Sequence, residues 1–206
     1  MEGPPLVVRL GLWRVTRHPL ARRLHDRLAD RGLFVAQLDR YERPAVRSLP
    51  EGPDPPGSVR FTVAPAVEGV PDRLRDAPVA PGDRIVRAVE DGEAVGYCCL
   101  SDRPVYVPEL RRRLAFDGTY LWRLYVPPPQ RGRGIGTAVI GRAVEAAASD
   151  ADRIVALVAP DNVPSRAAFA GVGFRPTARF TSVGAFGRER HRHTTAESEP
   201  ADQWRS

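Results

Sequence analysis

Arg131-Gly132-Arg133-Gly134-Ile135-Gly136 is the stretch on which the fold turns. Before it, residues 120–126 are aromatic and β-branched and are stopped by Pro127, Pro128 and Pro129, which reads as a strand. After it, residues 136–148 carry Ala and Val at 3.6-residue spacing, the pattern of a helix packed on one side. Strand, glycine loop and helix therefore follow one another directly. Glycine tolerates positive φ, so Gly132, Gly134 and Gly136 let successive backbone amides point one way at a helix start, where they form an anion nest. Arg131 and Arg133 are placed to add charge.

Two common phosphate loops do not fit. A dinucleotide fingerprint needs a third glycine three residues after the second, but Thr137 follows Gly134 and Val139 follows Gly136 at that spacing. A P-loop needs lysine, and the chain has none. A glycine-rich turn that only packs a helix on a strand remains the alternative from the loop alone.

Outward from the loop, residues 84–90 and 93–100 read as two strands around Asp91-Gly92, a pair suited to a tight antiparallel turn. Residues 59–64 read as a further strand, followed by an irregular stretch to about residue 75. The connection 101–118 contains Pro104, Pro108 and a short helix candidate at 109–114. Past the loop, residues 153–158 read as a strand, 164–171 as a short helix and 174–187 as one or two strands. Cys98 and Cys99 are adjacent in a strand, so they face opposite sides and read as core residues.

The first 50 residues differ in character. They hold ten arginines and five acids, net +5, whereas residues 51–206 hold 21 arginines and 20 acids, net +1. All 31 basic residues are arginine, a bias that weakens any inference from their number. A strand at 6–15, a helix begun by Thr16 and closed by Gly32, and a strand at 33–38 make 1–50 a basic amino-terminal unit, either a subdomain or an extension of the main sheet. Pro53, Pro55 and Pro56 mark 51–57 as a linker, 58–187 is the main domain, and 188–206 reads as a flexible tail. His191 and His193 in that tail lack the companion ligands of a metal site. No apolar run reaches membrane-spanning length and no leader is evident, which suggests a cytoplasmic protein without a membrane partner. Nucleic acid is not expected as a partner; if a polyanion binds, the amino-terminal unit is where it would do so.

Residues 124–126, the loop from Arg131 to Gly136, and the following helix together resemble motif A of the GNAT superfamily, the acetyl-CoA-dependent N-acetyltransferases, with signature [QR]-x-x-G-x-[GA]; Arg131, Gly134 and Gly136 fill its defined positions. Downstream, Asp161-Asn162, then Pro164-Ser165-Arg166-Ala167-Ala168-Phe169 and Gly171-Val172-Gly173-Phe174 resemble the family's second motif. The resemblance spans roughly residues 57–187.

It implies an α+β fold of three-layer type: a mixed, mostly antiparallel sheet with a splayed strand pair and flanking helices. It implies acetyl transfer from acetyl-CoA to an amine-bearing small molecule or peptide by direct attack, without a metal. By the same resemblance, Leu124, Tyr125 and Val126 border the pantetheine arm, and the amides of Gly132, Arg133, Gly134, Ile135, Gly136 and Thr137 hold the pyrophosphate. Asn162, Ser165 and Phe169 lie beside the arm. The sequence departs from the family twice. Tyr120 stands where a glutamate base is common, leaving Asp117 and Glu109 as carboxylate candidates. Phe169 stands where a tyrosine proton donor is common, leaving Tyr125, Ser165 or water. These departures keep a second reading open, a CoA-binding regulatory module without catalysis, and the basic amino-terminal unit keeps open a third, binding of nucleic acid or a protein partner. The acceptor and the oligomeric state, a homodimer included, are not read from the sequence.

Overall fold

The computed structural model describes residues 33–45, 57–66, 79–185 and 188–195. The proposed strand at 6–15, the helix closed by Gly32 and most of the linker at 51–57 lie outside the described residues. In chain order the elements are β1 (Phe34–Pro44), β2 (Arg60–Pro65), β3 (Arg84–Glu90), β4 (Glu93–Ser101), β5 (Val105–Val107), β6 (Arg112–Leu114), β7 (Thr119–Tyr125), α1 (Ile135–Ala147), β8 (Arg153–Val158), α2 (Val163–Gly171), β9 (Arg175–Ala185) and β10 (Arg188–Thr195).

Among the described residues eight strands form one sheet in the order β10-β9-β1-β8-β7-β4-β3-β2, and β5 pairs with β6 separately. All neighbours are antiparallel except β7 and β8, which α1 joins as a parallel pair. This is the mixed, mostly antiparallel α+β sheet expected. The hairpin falls where the turn pair places it: Asp91 and Gly92 take φ of 51° and 84° between β3 and β4. Cys98 and Cys99 are both buried, in clusters on opposite faces.

Of the two arrangements left open for the amino-terminal unit, residues 34–44 take the second, strands of the main sheet: β1 lies inside it, antiparallel to β8 on one side and β9 on the other. Three details depart from the sequence reading. The strand β1 is longer than the 33–38 expected, because pairing on both edges supplies hydrogen bonds that its mixed composition does not advertise. Residues 188–195, read as tail, form β10 along β9; every one is exposed, so no apolar alternation marks the strand. The helix candidate at 109–114 is a single 3-10 turn (Pro108–Leu110) followed by β6, since Arg111 adopts φ 52° and breaks the helix.

One face of the sheet is covered by α1 and α2. Val139, Ile140, Ala143 and Val144 of α1 pack there with Cys98, Leu121 and Ile154. The other face holds Ile85, Cys99, Tyr120 and Trp122. Gly96 in β4 governs the approach of α1: a Cβ there would lie 2.9 Å from Ile135 Cγ2, so a side chain would push the start of the helix off the sheet.

Candidate active site

A single extra residue in β7 opens the sheet. Trp122 pairs with Cys99 and Tyr125 with Tyr97, so Arg123 and Leu124 together oppose Cys98. Arg123 takes φ 55°, the left-handed region that side chains disfavour. The insertion reverses the alternation of the strand. Tyr120 and Trp122 point to one face and Leu121 to the helix face, yet beyond the bulge Leu124 and Val126 pack on the helix face and Tyr125 on the other. Ladder pairing with β8 runs only through Thr119–Ile154, Tyr120–Val155 and Leu121–Ala156. Past Leu121 the two strands part, and a cleft of about 530 Å³ lies between them.

At the far end of β7, a 3-10 turn (Pro128–Gln130) delivers the chain to the glycine loop. Gly132 and Gly134 take φ of 79° and 77°, and Gly134 is the N-cap of α1. Gly134 has no side chain with which to cap, and the first backbone bond of the helix runs from Ala138 N–H to the Gly134 carbonyl. The N–H groups of Ile135, Gly136 and Thr137 are thus left without acceptors in the helix, and they carry the positive end of its dipole. Gly136 faces Val126, whose Cγ2 would stand 3.6 Å from a Cβ placed there.

The two loop arginines do not both face outward. Arg133 forms a two-pronged pair with Glu90 at the end of β3, at 2.7 and 2.8 Å, and also reaches Gln130. Its charge is therefore matched by Glu90 in this structure. Hydrogen bonds from Arg133, then from Ser58, hold the Glu90 carboxyl at about 2, well below the usual range. Arg131 donates from Nε to the Val126 carbonyl at 3.0 Å, which occupies one of the backbone groups expected to meet a ligand.

The second motif takes the expected local form. Asn162 caps α2 by accepting from the Ser165 N–H at 3.3 Å. Asn162, Ser165 and Phe169 all line the cleft. Phe169 is buried edge-on against Phe174, centroids 5.0 Å apart, and lies 6.3 Å from the Tyr41 ring. Arg166 donates to the Tyr41 hydroxyl and the Pro160 carbonyl, tying α2 to β1.

The candidate acid and base groups separate clearly. Glu109 and Tyr120 line the cleft together. Tyr120 is buried with its ring 4.7 Å from Phe116, and desolvation, reinforced by the nearby Glu109 charge, raises its pKa far above the usual phenol value. Burial thus favours the neutral phenol, which can donate a hydrogen bond. Asp117 is away from the cleft: its side chain is 91% exposed and its oxygen sits 3.8 Å from Arg153 Nε. Tyr125 is also away, turned by the bulge to pack on Tyr97 with centroids 5.6 Å apart. Among the described residues no cluster of three metal-ligating side chains occurs.

Several contributors were not read from the sequence. Leu38 and Leu157 line the cleft, and Trp122 stands in its wall, donating from Nε1 to Ser101 Oγ at 2.8 Å. Ser101 passes the hydrogen bond on to the buried Asp83, which also accepts from Arg103 at 2.5 and 3.1 Å and from the Ala80 N–H at 2.8 Å. Gly96 was missed because it sits in an ordinary-looking strand. Its presence amid Val, Tyr and Cys was the one available signal.

Residues 57–174 match the model of the acetyltransferase (GNAT) family. A curated relative, L-2,4-diaminobutyric acid acetyltransferase of Nocardia farcinica, is 34% identical over 107 residues, which are 52% of this chain and 50% of the relative. The chain thus matches about half the length of that relative. Among solved structures, a Drosophila protein superposes with a TM-score of 0.53 at 14% identity, covering 82% of this chain and 58% of the other. A GCN5-related N-acetyltransferase from Kribbella flavida superposes with a TM-score of 0.50 at 15% identity, covering 78% of this chain and 63% of the other. At such identities the structures speak to the fold alone. With the matched segment running from the turn before β2 to the end of the second motif, the chain belongs to the GNAT acetyltransferase family.

Proposed function

We propose that this acetyltransferase moves the acetyl group of acetyl-CoA to a primary amine by direct attack within the cleft between β7 and β8. The observation that carries the reading is the continuity of that cleft with the uncapped start of α1. The pyrophosphate fits the amides of Ile135, Gly136 and Thr137, where contact with the helix dipole stabilises by about 0.3–1 kcal/mol when exposed and up to about 2 when partly buried. The pantetheine arm fits along the open edge of β7 past Leu121, where backbone groups lack partners in β8 and accept a strand-like ligand. Asn162, Ser165 and Phe169 then wall the arm on the α2 side.

The bulge has a chemical use in this reading. Turned out of the ladder, the backbone at Arg123 and Leu124 can aim an N–H at the thioester carbonyl and stabilise the negative charge that develops on its oxygen. An alkylamine with pKa about 10.4 must lose a proton to attack near neutrality, at a cost of about 4 kcal/mol. In this reading Glu109, the carboxylate in the cleft lining, accepts that proton, directly or through water. Attack then leaves a second proton on nitrogen while sulfur departs as thiolate. Transfer of that proton from nitrogen to sulfur, through water or the Ser165 hydroxyl, balances the reaction. The phenol of Tyr120 orients by hydrogen bonding and keeps its own proton.

The relative's name points to a diamino acid as one acceptor to try. The test is release of free CoA thiol from acetyl-CoA with a panel of amines, alongside calorimetric binding of CoA. Turnover with an amine supports the enzyme. Tight CoA binding with no thiol release from any amine would instead support the regulatory reading.

A further inference from the structure

Arg123 is the single basic residue that lines the cleft among the described residues, and Glu109 the single acidic one. The Arg123 guanidinium is exposed and makes no hydrogen bond or ion pair with any described residue. This sets it apart from Arg133 with Glu90, Arg103 with Asp83 and Arg179 with Asp39. Its position is also held at a conformational cost, for φ 55° is a region where glycine or asparagine would sit more easily than arginine. Arg123 directly follows Trp122 in β7, and both line the cleft together with Tyr120. Glu109 lines it as well, from the 3-10 turn after β5. Two opposite charges therefore border one cleft.

We propose that Arg123 binds a carboxylate of the acceptor, so that the substrate is an amino acid whose reacting amine is directed to Glu109 while its carboxylate is held at Arg123. The inference rests on the acetyl-transfer reading above. A guanidinium presents two parallel N–H donors that match a carboxylate, and one such fork neutralises one negative charge. The donor's phosphates have their own place at the glycine loop, on the helix side of the sheet. An acceptor without a carboxylate offers Arg123 no negative group to pair with, which disfavours diamines relative to the matching amino acids.

The experiment compares acceptors that differ only in the carboxylate: ornithine with putrescine, and 2,4-diaminobutyrate with 1,3-diaminopropane. In the full chain, kcat/KM is expected to favour each amino acid at least tenfold, mainly through KM. Arg123→Asn, chosen because asparagine accepts positive φ, should bring the ornithine-to-putrescine ratio to within threefold, and Arg123→Lys should restore part of it. Equal kcat/KM for the two members of each pair in the unmodified protein would overturn the proposal, as would an Arg123→Asn variant that slows both members equally. If no amine is acetylated, the catalytic reading fails by itself. Calorimetry of ornithine and putrescine with CoA-loaded protein then still decides the role of Arg123: preference for ornithine, lost in Arg123→Asn, supports it, and equal or absent binding of the two overturns it.

Discussion

Glu90 and Arg133 join the end of β3 to the glycine loop across 43 residues of sequence, through two hydrogen bonds at 2.7 and 2.8 Å. The pair fixes the loop from outside, so its neutralisation should loosen the anion nest without touching the cleft. Glu90→Gln is expected to raise KM for acetyl-CoA about three- to tenfold with little change in kcat, readable by steady-state kinetics. Because the native carboxyl titrates at about 2 rather than at 4.5, the pair stabilises fully above about pH 4.5 and fades as pH falls through 2. The stability gap between the protein and Glu90→Gln in denaturant titrations should therefore be constant from pH 5 to 8 and close in stronger acid.

Gly134 caps α1 at φ 77°. Alanine there must adopt the left-handed region at about 1–2 kcal/mol, or distort the loop. Gly134→Ala should lower the melting temperature by roughly 2–8 °C, at about 2–4 °C per kcal/mol for a chain of this size. Calorimetric CoA affinity should fall with it.

The two carboxylate candidates are separated by position. Glu109→Gln should lower kcat/KM about 100-fold or more near neutral pH, as loss of a general base does. Asp117→Asn, on the exposed rim beside Arg153, should stay within twofold. Tyr120→Phe should lower kcat by at most about tenfold, the scale of one hydrogen bond. It should leave the pH profile unshifted, because the phenol remains protonated throughout.

Asp83 is a buried carboxylate that gathers Ser101, Arg103 and the Ala80 amide, and through Ser101 it holds Trp122 in the cleft wall. Asp83→Ala leaves those donors unmatched. A loss of about 3 kcal/mol is expected, with a red shift of tryptophan emission measured alongside chemical denaturation.

A Cβ at Gly184 would overlap the ring of Phe34. Gly184→Ala should weaken the β1–β9 pairing by about 1–3 kcal/mol, visible as faster amide hydrogen exchange over residues 34–44.

Local signals were the legible ones. The Asp91-Gly92 turn, the strand before the glycine loop and the capped start of α2 at Asn162 depend on neighbours within a few residues, and each appears where the sequence puts it. Long-range partners were not legible. Nothing near Arg133 announces Glu90, and nothing near Phe34 announces Gly184. The Arg123 bulge escaped notice because one additional residue in an aromatic strand changes no composition, yet it reverses the faces of Leu124 and Tyr125. That reversal is why Leu124 lines the cleft and Tyr125 packs on Tyr97 instead. Glu109 and Asp117 sit in the same connection, and only the 3-10 turn at Pro108–Leu110 brings one of them to the cleft.

The central seat of β1 has a consequence for how the protein is made. Its two neighbours, β8 and β9, begin at Arg153 and Arg175, so this early strand emerges with both edges bare and more than 100 residues must follow before the first partner exists. At about 5–20 residues per second, synthesis imposes a delay of roughly 5–20 s. During that interval Phe34–Pro44 is a template that any passing strand could copy, and the charges of Asp39, Arg40, Glu42 and Arg43 along it serve as guards against such pairing until the proper neighbours arrive.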